Sequence, residues 1–147
     1  MIGKTIQSLD VQTWLQSLGT LAAEAVEADA VREAQLTRML FQLLVLAPEP
    51  CKACVYPTCP QSEVMKLLDE GAVESAIVRM IAGNFGIMIS SPIGGGDSIA
   101  TIFDPGTGNE FTANGSSFTL AAIAATASAT FELFKMMDLI PPSSFQN

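Results

Sequence analysis

Residues 85–113 read FGIMISSPIGGGDSIATIFDPGTGNEFTA, and this stretch decides the fold class. Its two apolar runs, 85–90 and 98–103, are rich in isoleucine and phenylalanine, which favour strands. A loop with three consecutive glycines separates the runs, and the turn-forming segment DPGTGN follows the second. Residues 110–113 form a short third run. The pattern predicts a small antiparallel β-meander at about 85–113.

Helical patterns lie on both sides of this meander. Apolar residues at helical spacing predict helices over 8–18, 20–47, 62–70, 73–81 and 117–139. Gly19 is expected to end the first helix, and a break is expected near Asp29 in the second. The dipeptide Asn114-Gly115 suits a hairpin turn, while the serines that follow it suit a helix cap.

Helices before and after a small antiparallel sheet indicate an α+β fold. With 147 residues, we expect one domain spanning 1–147. Its mainly helical part is 1–82 and includes a Pro- and Cys-rich connector at 48–60. The meander and a long buried C-terminal helix make up 83–147.

The charge balance narrows the classes of partner and activity. The net charge is −8, from 7 basic and 15 acidic residues, and no segment is basic. We therefore expect neither a nucleic-acid partner nor an anionic membrane surface. The chain has no histidine, the usual general base near neutral pH, so we predict a non-catalytic protein without a cofactor. An enzyme that relies on the carboxylates of Asp97, Asp104 and Glu110 is the weaker option.

The N-terminal sequence and the cysteine count bear on localisation. Residues 1–8 contain no apolar run of signal-peptide length, and residues 143–147 match no lipidation or retention signal. Three cysteines are an odd number, which fits a reducing compartment better than a disulfide framework. We expect a cytoplasmic protein, or one within an assembled particle, and not a secreted one.

Two regions suggest a binding site. Cys51, Cys54 and Cys59 lie close together in the connector and could ligate a metal. The chain has no further Cys and no His, so Glu49 or a residue of a second copy would have to complete the site. A Cys51–Cys54 redox pair or inert thiols are the alternatives. The loops between Gly94 and Asp104 could cradle a phosphate or hold calcium, but their composition is also that of ordinary turns. These regions support the alternative prediction of a small-ligand or metal-binding protein.

The most unusual feature is a window that is nearly free of charge. Between Arg79 and Phe131 there are only four charged residues, and residues 111–131 have none. Within the C-terminal helix, four alanines form a small-residue face, namely Ala121, Ala122, Ala125 and Ala129. This face fits either burial inside the domain or close contact with a neighbouring subunit. We favour the second, which predicts a self-associating structural subunit. Such a subunit would form a homo-oligomer or bind a protein partner, for example as a component of a virion or other multi-subunit particle.

Overall fold

The computed structural model of the chain describes residues 10–138. Within that range the order is six helices and three strands: α1 Val11–Glu27, α2 Glu33–Val45, α3 Lys52–Val55, α4 Gln61–Asp69, α5 Val73–Ile81, β1 Gly86–Ser90, β2 Ser98–Phe103, β3 Glu110–Gly115 and α6 Phe118–Asp138. The predicted α+β class, with a small meander before a long C-terminal helix, is confirmed. The predictions made for residues 1–9 and 139–147 lie outside the described range.

Helix α1 begins at Asp10, whose carboxylate accepts a hydrogen bond from the Thr13 amide at 3.3 Å. One face of the helix is buried against α6 and includes Trp14, Leu18, Leu21 and Ala25. That stripe continues past Gly19, so the predicted helix end at Gly19 is wrong. Burial of an apolar face on both sides of a glycine outweighs the roughly 1 kcal/mol that the glycine costs a helix.

The single helix predicted over 20–47 is wrong, but the break expected near Asp29 is confirmed. Ala28 is extended, with a ψ of 162°, and the Asp29 side chain accepts from the Val31 amide at 3.2 Å. This cap starts a 3-10 turn, Ala30–Arg32, that leads directly into α2. The turn lets α2 fold back, so that both α1 and α2 pack against α6.

The sheet has the order β1-β2-β3 with both pairs antiparallel. Strand β3 extends to Gly115 and is followed by a helix, so the hairpin suggested for Asn114-Gly115 does not form. The capping alternative is confirmed, because the Ser117 hydroxyl accepts from the Leu120 amide at 3.2 Å. Gly115 has to be glycine here, since a β-carbon would lie 2.4 Å from the Ala121 nitrogen.

Helix α6 is the centre of the core. All residues from 119 to 127 are buried, and the helix packs against α1, α2, α5 and the sheet. Near its C-terminal end the Phe134 ring meets Trp14 edge-on, with centroids 5.4 Å apart, and the Trp14 indole donates to the Leu43 carbonyl at 2.8 Å. The predicted burial of the C-terminal helix is therefore confirmed.

Candidate functional site

One face of the three-stranded sheet packs on α6, and the other faces solvent. The strand register sorts alternate residues to the two sides. We call the solvent side the outer face. It consists of three rows of three residues, Gly86–Phe103–Glu110, Met88–Thr101–Thr112 and Ser90–Ile99–Asn114.

The outer face is apolar to a degree unusual for a solvated surface. Met88 is 69% exposed, Ile99 44% and Phe103 40%, so three large apolar side chains lie on nine positions. Ile93, in the loop that joins β1 to β2, is fully exposed as well. Glu110 is the only charged residue of the face. Such a concentration of exposed apolar side chains with little charge is typical of an interaction surface.

Local contacts join neighbouring strands on the outer face. Phe103 lies across the sheet from Gly86, where a β-carbon would meet the Phe103 ring at ordinary van der Waals distance. In the middle row, the hydroxyls of Thr101 and Thr112 are hydrogen-bonded at 3.1 Å. The face therefore has Ile99 and Phe103 at the two ends of its central strand and Met88 at the middle of one edge, around a pair of threonine hydroxyls.

The four alanines expected at a subunit interface lie elsewhere. Ala121, Ala122, Ala125 and Ala129 each have no exposed surface, because elements of the same chain cover them. This is the burial alternative that the sequence left open. In the folded chain these side chains are not accessible to a neighbouring subunit, and the low charge of this helix reflects its place in the core.

The three connector cysteines differ in burial. Cys51 and Cys59 are buried on either side of α3, whereas Cys54 lies on the exposed side of that helix. Within residues 10–138, no three or more His, Cys, Asp or Glu side chains are placed to hold a metal ion. The structure therefore does not assemble the cysteines into the metal site that their spacing suggested.

The electrostatics of these thiols also favour the protonated form. Burial raises the pKa of Cys51 to about 12, with further contributions from Cys54, Asp104 and Glu49. Partial desolvation raises the pKa of Cys54 and Cys59 as well, helped at Cys54 by the nearby Asp104 and at Cys59 by Glu63. Because the thiolate is both the metal ligand and the nucleophile, none of the three is activated for either chemistry.

The loops between Gly94 and Asp104 are organised by their own turns. Gly95 and Gly96 have φ values of 94° and 111°, and the loop continues into a strand, so no helix N-terminus is available for a phosphate. The Asp104 carboxylate accepts from the Gly106 amide, the Thr107 amide and the Thr107 hydroxyl. Its oxygens stabilise the β2–β3 turn, and the described residues around it do not form a carboxylate cluster with Asp97 and Glu110.

Helix α6 also has the length and mean hydropathy of a membrane span, over Phe118–Met137. However, 67% of that window is buried by the rest of the chain, as in the central helix of a folded domain. A core helix passes the same compositional test as a membrane helix, so this observation is weak evidence for a membrane.

Sequence reasoning missed the outer face of the sheet. Strand β2 has large apolar residues on both sides, Ile102 inward and Ile99 and Phe103 outward, so alternation alone does not reveal which side is covered. The signal available in the sequence is that apolar residues occur at both sets of alternating positions along the strand.

Comparisons with protein-family models, curated proteins and solved structures find no match to this chain.

Proposed function

We propose that this protein is a non-catalytic structural subunit that associates with copies of itself, as a building block of a multi-subunit particle such as a virion. The observation that carries this proposal is the outer face, where Met88, Ile99 and Phe103 are exposed and Glu110 is the one charged residue. Burying such side chains against a partner removes apolar surface from water, at about 25 cal/mol per Å².

Charge supports a partner of the same kind over an unrelated surface. The chain carries 15 acidic and 7 basic residues, so most of its surface repels a second copy. The outer face has one acidic residue, Glu110, at its corner. Two copies can therefore approach each other through the sheet without placing many like charges opposite one another, which costs several kcal/mol elsewhere.

The oligomeric state of the purified chain tests the proposal. Light scattering coupled to size exclusion, over roughly 5 to 500 µM protein, is expected to show a mass above that of the 15.5 kDa monomer that increases with concentration. A chain that stays monomeric over the whole range contradicts the proposal.

A further inference from the structure

The two edges of the sheet differ in how they are protected. Free strand edges invite pairing with another chain, and natural proteins guard them with charged residues, proline, bulges or a covering element. At one edge, β3 begins with Glu110 and packs against α1, and the Ser116 hydroxyl donates to the Ala28 carbonyl at 2.9 Å. The β3 edge is therefore guarded by both charge and cover.

In the part of the chain that the structure describes, none of these devices protects the β1 edge. Its five residues, GIMIS, include no charge and no proline, and the strand pairs with β2 in uninterrupted register. No charged residue occurs between Arg79 and Asp97, so the residues that flank β1 do not protect its edge with charge either. Within residues 10–138, β2 is the only strand that pairs with β1. The side chain at the middle of the edge, Met88, is 69% exposed.

We infer that the β1 edge pairs with the β1 edge of a second copy, antiparallel and about a two-fold axis at Met88; this rests on the proposed self-association. The axis aligns all five residues of both strands and produces a continuous six-stranded sheet. Such pairing adds about four to six backbone hydrogen bonds. The assembly stops at a dimer, because each copy uses the same edge for the contact. The protected β3 edges then form the two outer edges of the six-stranded sheet.

Area and charge favour the edge over stacking of two outer faces. Three strands of five or six residues cover at most about 14 Å by 20 Å, or roughly 300 Å², whereas a stable interface takes about 800 Å² from each partner. Edge pairing obtains its stability mainly from backbone hydrogen bonds and does not depend on face area. It also leaves both outer faces on the same side of the dimer, as one surface of about twice the area. The uncharged edge places no acidic residue of the strand against its copy in an otherwise acidic chain.

Charged variants at Met88 test this pairing. Met88→Lys places two lysines directly opposite each other across the axis, with β-carbons about 5 Å apart, and is expected to raise the dimer dissociation constant at least about tenfold. The matched control is Thr112→Lys, in the same row of the outer face but about 10 Å away on β3, which is expected to leave the dimer intact. Sedimentation velocity reports both masses, and circular dichroism confirms that both variants fold.

A charge swap tests the symmetry of the contact directly. Met88→Glu alone is expected to dissociate like the lysine variant, whereas an equimolar mixture of Met88→Glu and Met88→Lys is expected to recover the dimer. Only an arrangement in which residue 88 meets its own copy predicts this recovery.

Cross-linking measures the same geometry. In a Cys54→Ser background, Met88→Cys places two α-carbons about 4.5–5.5 Å apart, which is within disulfide range, so oxidation is expected to give a covalent dimer. Thr112→Cys is the control, because its copies lie about 24 Å apart in the six-stranded sheet.

The outcomes separate this inference from the proposed function. A monomeric wild-type chain overturns both, and protected β1 amides in such a monomer would mean that the chain covers its own edge. If the wild type associates but Met88→Lys has no effect, the edge pairing is wrong and self-association stands. If Met88→Lys and Thr112→Lys both dissociate the oligomer, stacking of outer faces replaces edge pairing.

Discussion

At the scale of single residues, two buried hydroxyls of α6, those of Thr119 and Thr126, lack a hydrogen-bond partner among the described residues. Thr126 is fully buried, and its hydroxyl has no hydrogen-bond partner among the described residues. Thr130, one turn later and equally buried, donates to the Thr126 carbonyl at 2.8 Å. The two threonines share a helix and a burial class but differ in hydrogen bonding, which makes them a matched pair.

Valine substitutions at these sites should therefore act in opposite directions. Thr126→Val removes an unsatisfied polar group and is expected to raise the free energy of unfolding by about 1 kcal/mol, whereas Thr130→Val loses a bond and should lower it by about 1 kcal/mol. Urea unfolding, followed by the fluorescence of Trp14 at fixed protein concentration, measures both. Equal effects of the two variants would mean that hydrogen bonding does not distinguish the sites.

The buried thiol of Cys51 makes stability depend on alkaline pH. Its pKa is raised to about 12 from an ordinary value of 9.0, so the folded state holds the proton more tightly than the unfolded chain does. The contribution of the protonated thiol is complete below about pH 9 and is lost as the pH rises towards 12. The loss is at most about 1.4 kcal/mol per pH unit.

Comparison with Cys51→Ala isolates this effect from other groups that titrate in the same range. We expect the unfolding free energy of the wild type to fall more steeply between about pH 9 and 11 than that of the variant. Cys54→Ala, on the exposed side of α3, serves as the control with a smaller change. Parallel curves for wild type and Cys51→Ala would show that the buried thiol is not linked to folding.

At the scale of single elements, the position of α6 in the fold decides whether its small-residue face is part of the core or an interface. Ala125 lies at the middle of this face and has no exposed surface. Leucine there adds three carbons to a packed interior, and Ala125→Leu is expected to lower the free energy of unfolding by about 1–3 kcal/mol or more. The folded fraction should keep the oligomeric state of the wild type.

The control for this prediction is Ser128→Leu on the same helix. Ser128 is half-buried and lines a shallow groove between α6 and α1 next to Gly19 and Ala22, so a larger side chain has room. Its cost is expected to be smaller than that of Ala125→Leu in the same urea experiment. If the Ala125→Leu oligomer dissociates while the chain keeps its stability, this face is an interface and not part of the core.

The elements that sequence predicted best are those with strong local signals. Strand β2 was predicted at its observed bounds, because apolar strand formers lie between a glycine loop and an Asp-Pro-Gly turn. Helix α4 ends as expected before Gly71, which has a φ of 78°. Predictions from local residue preferences failed at Gly19 and at Asn114-Gly115. There the tertiary packing of α1 and β3 on α6 outweighs the preference of the isolated residues.

The candidate site was harder to predict than the fold for a physical reason. Alanine suits both a buried helix and a close helix contact between subunits, so composition does not separate the two for α6. The edge position of β1 depends on strand order, which is a long-range property of the sheet. Exposure of Met88 follows from that order and from the position of α6, and neither is encoded within the strand itself.

For the whole molecule, net charge and the proposed contact oppose each other. Each copy carries a charge of −8, while the β1 edge and most of the outer face are uncharged. Association therefore brings two acidic bodies together without forming ion pairs at the contact. The repulsion acts over the Debye length, which is about 10 Å at 0.1 M salt and about 3 Å at 1 M.

Salt is consequently expected to strengthen the self-association. Raising sodium chloride from about 50 to 500 mM should lower the dimer dissociation constant at least about threefold, because screening reduces the repulsion and breaks no attractive ion pair. Sedimentation velocity measures the constant, and sodium chloride is preferred to sulfate, which also promotes burial of apolar surface. Sucrose at the same osmolality is the control for effects of added solute that do not involve charge. A dissociation constant that rises with salt would show that ion pairs hold the copies together, and the uncharged β1 edge would then not be the contact.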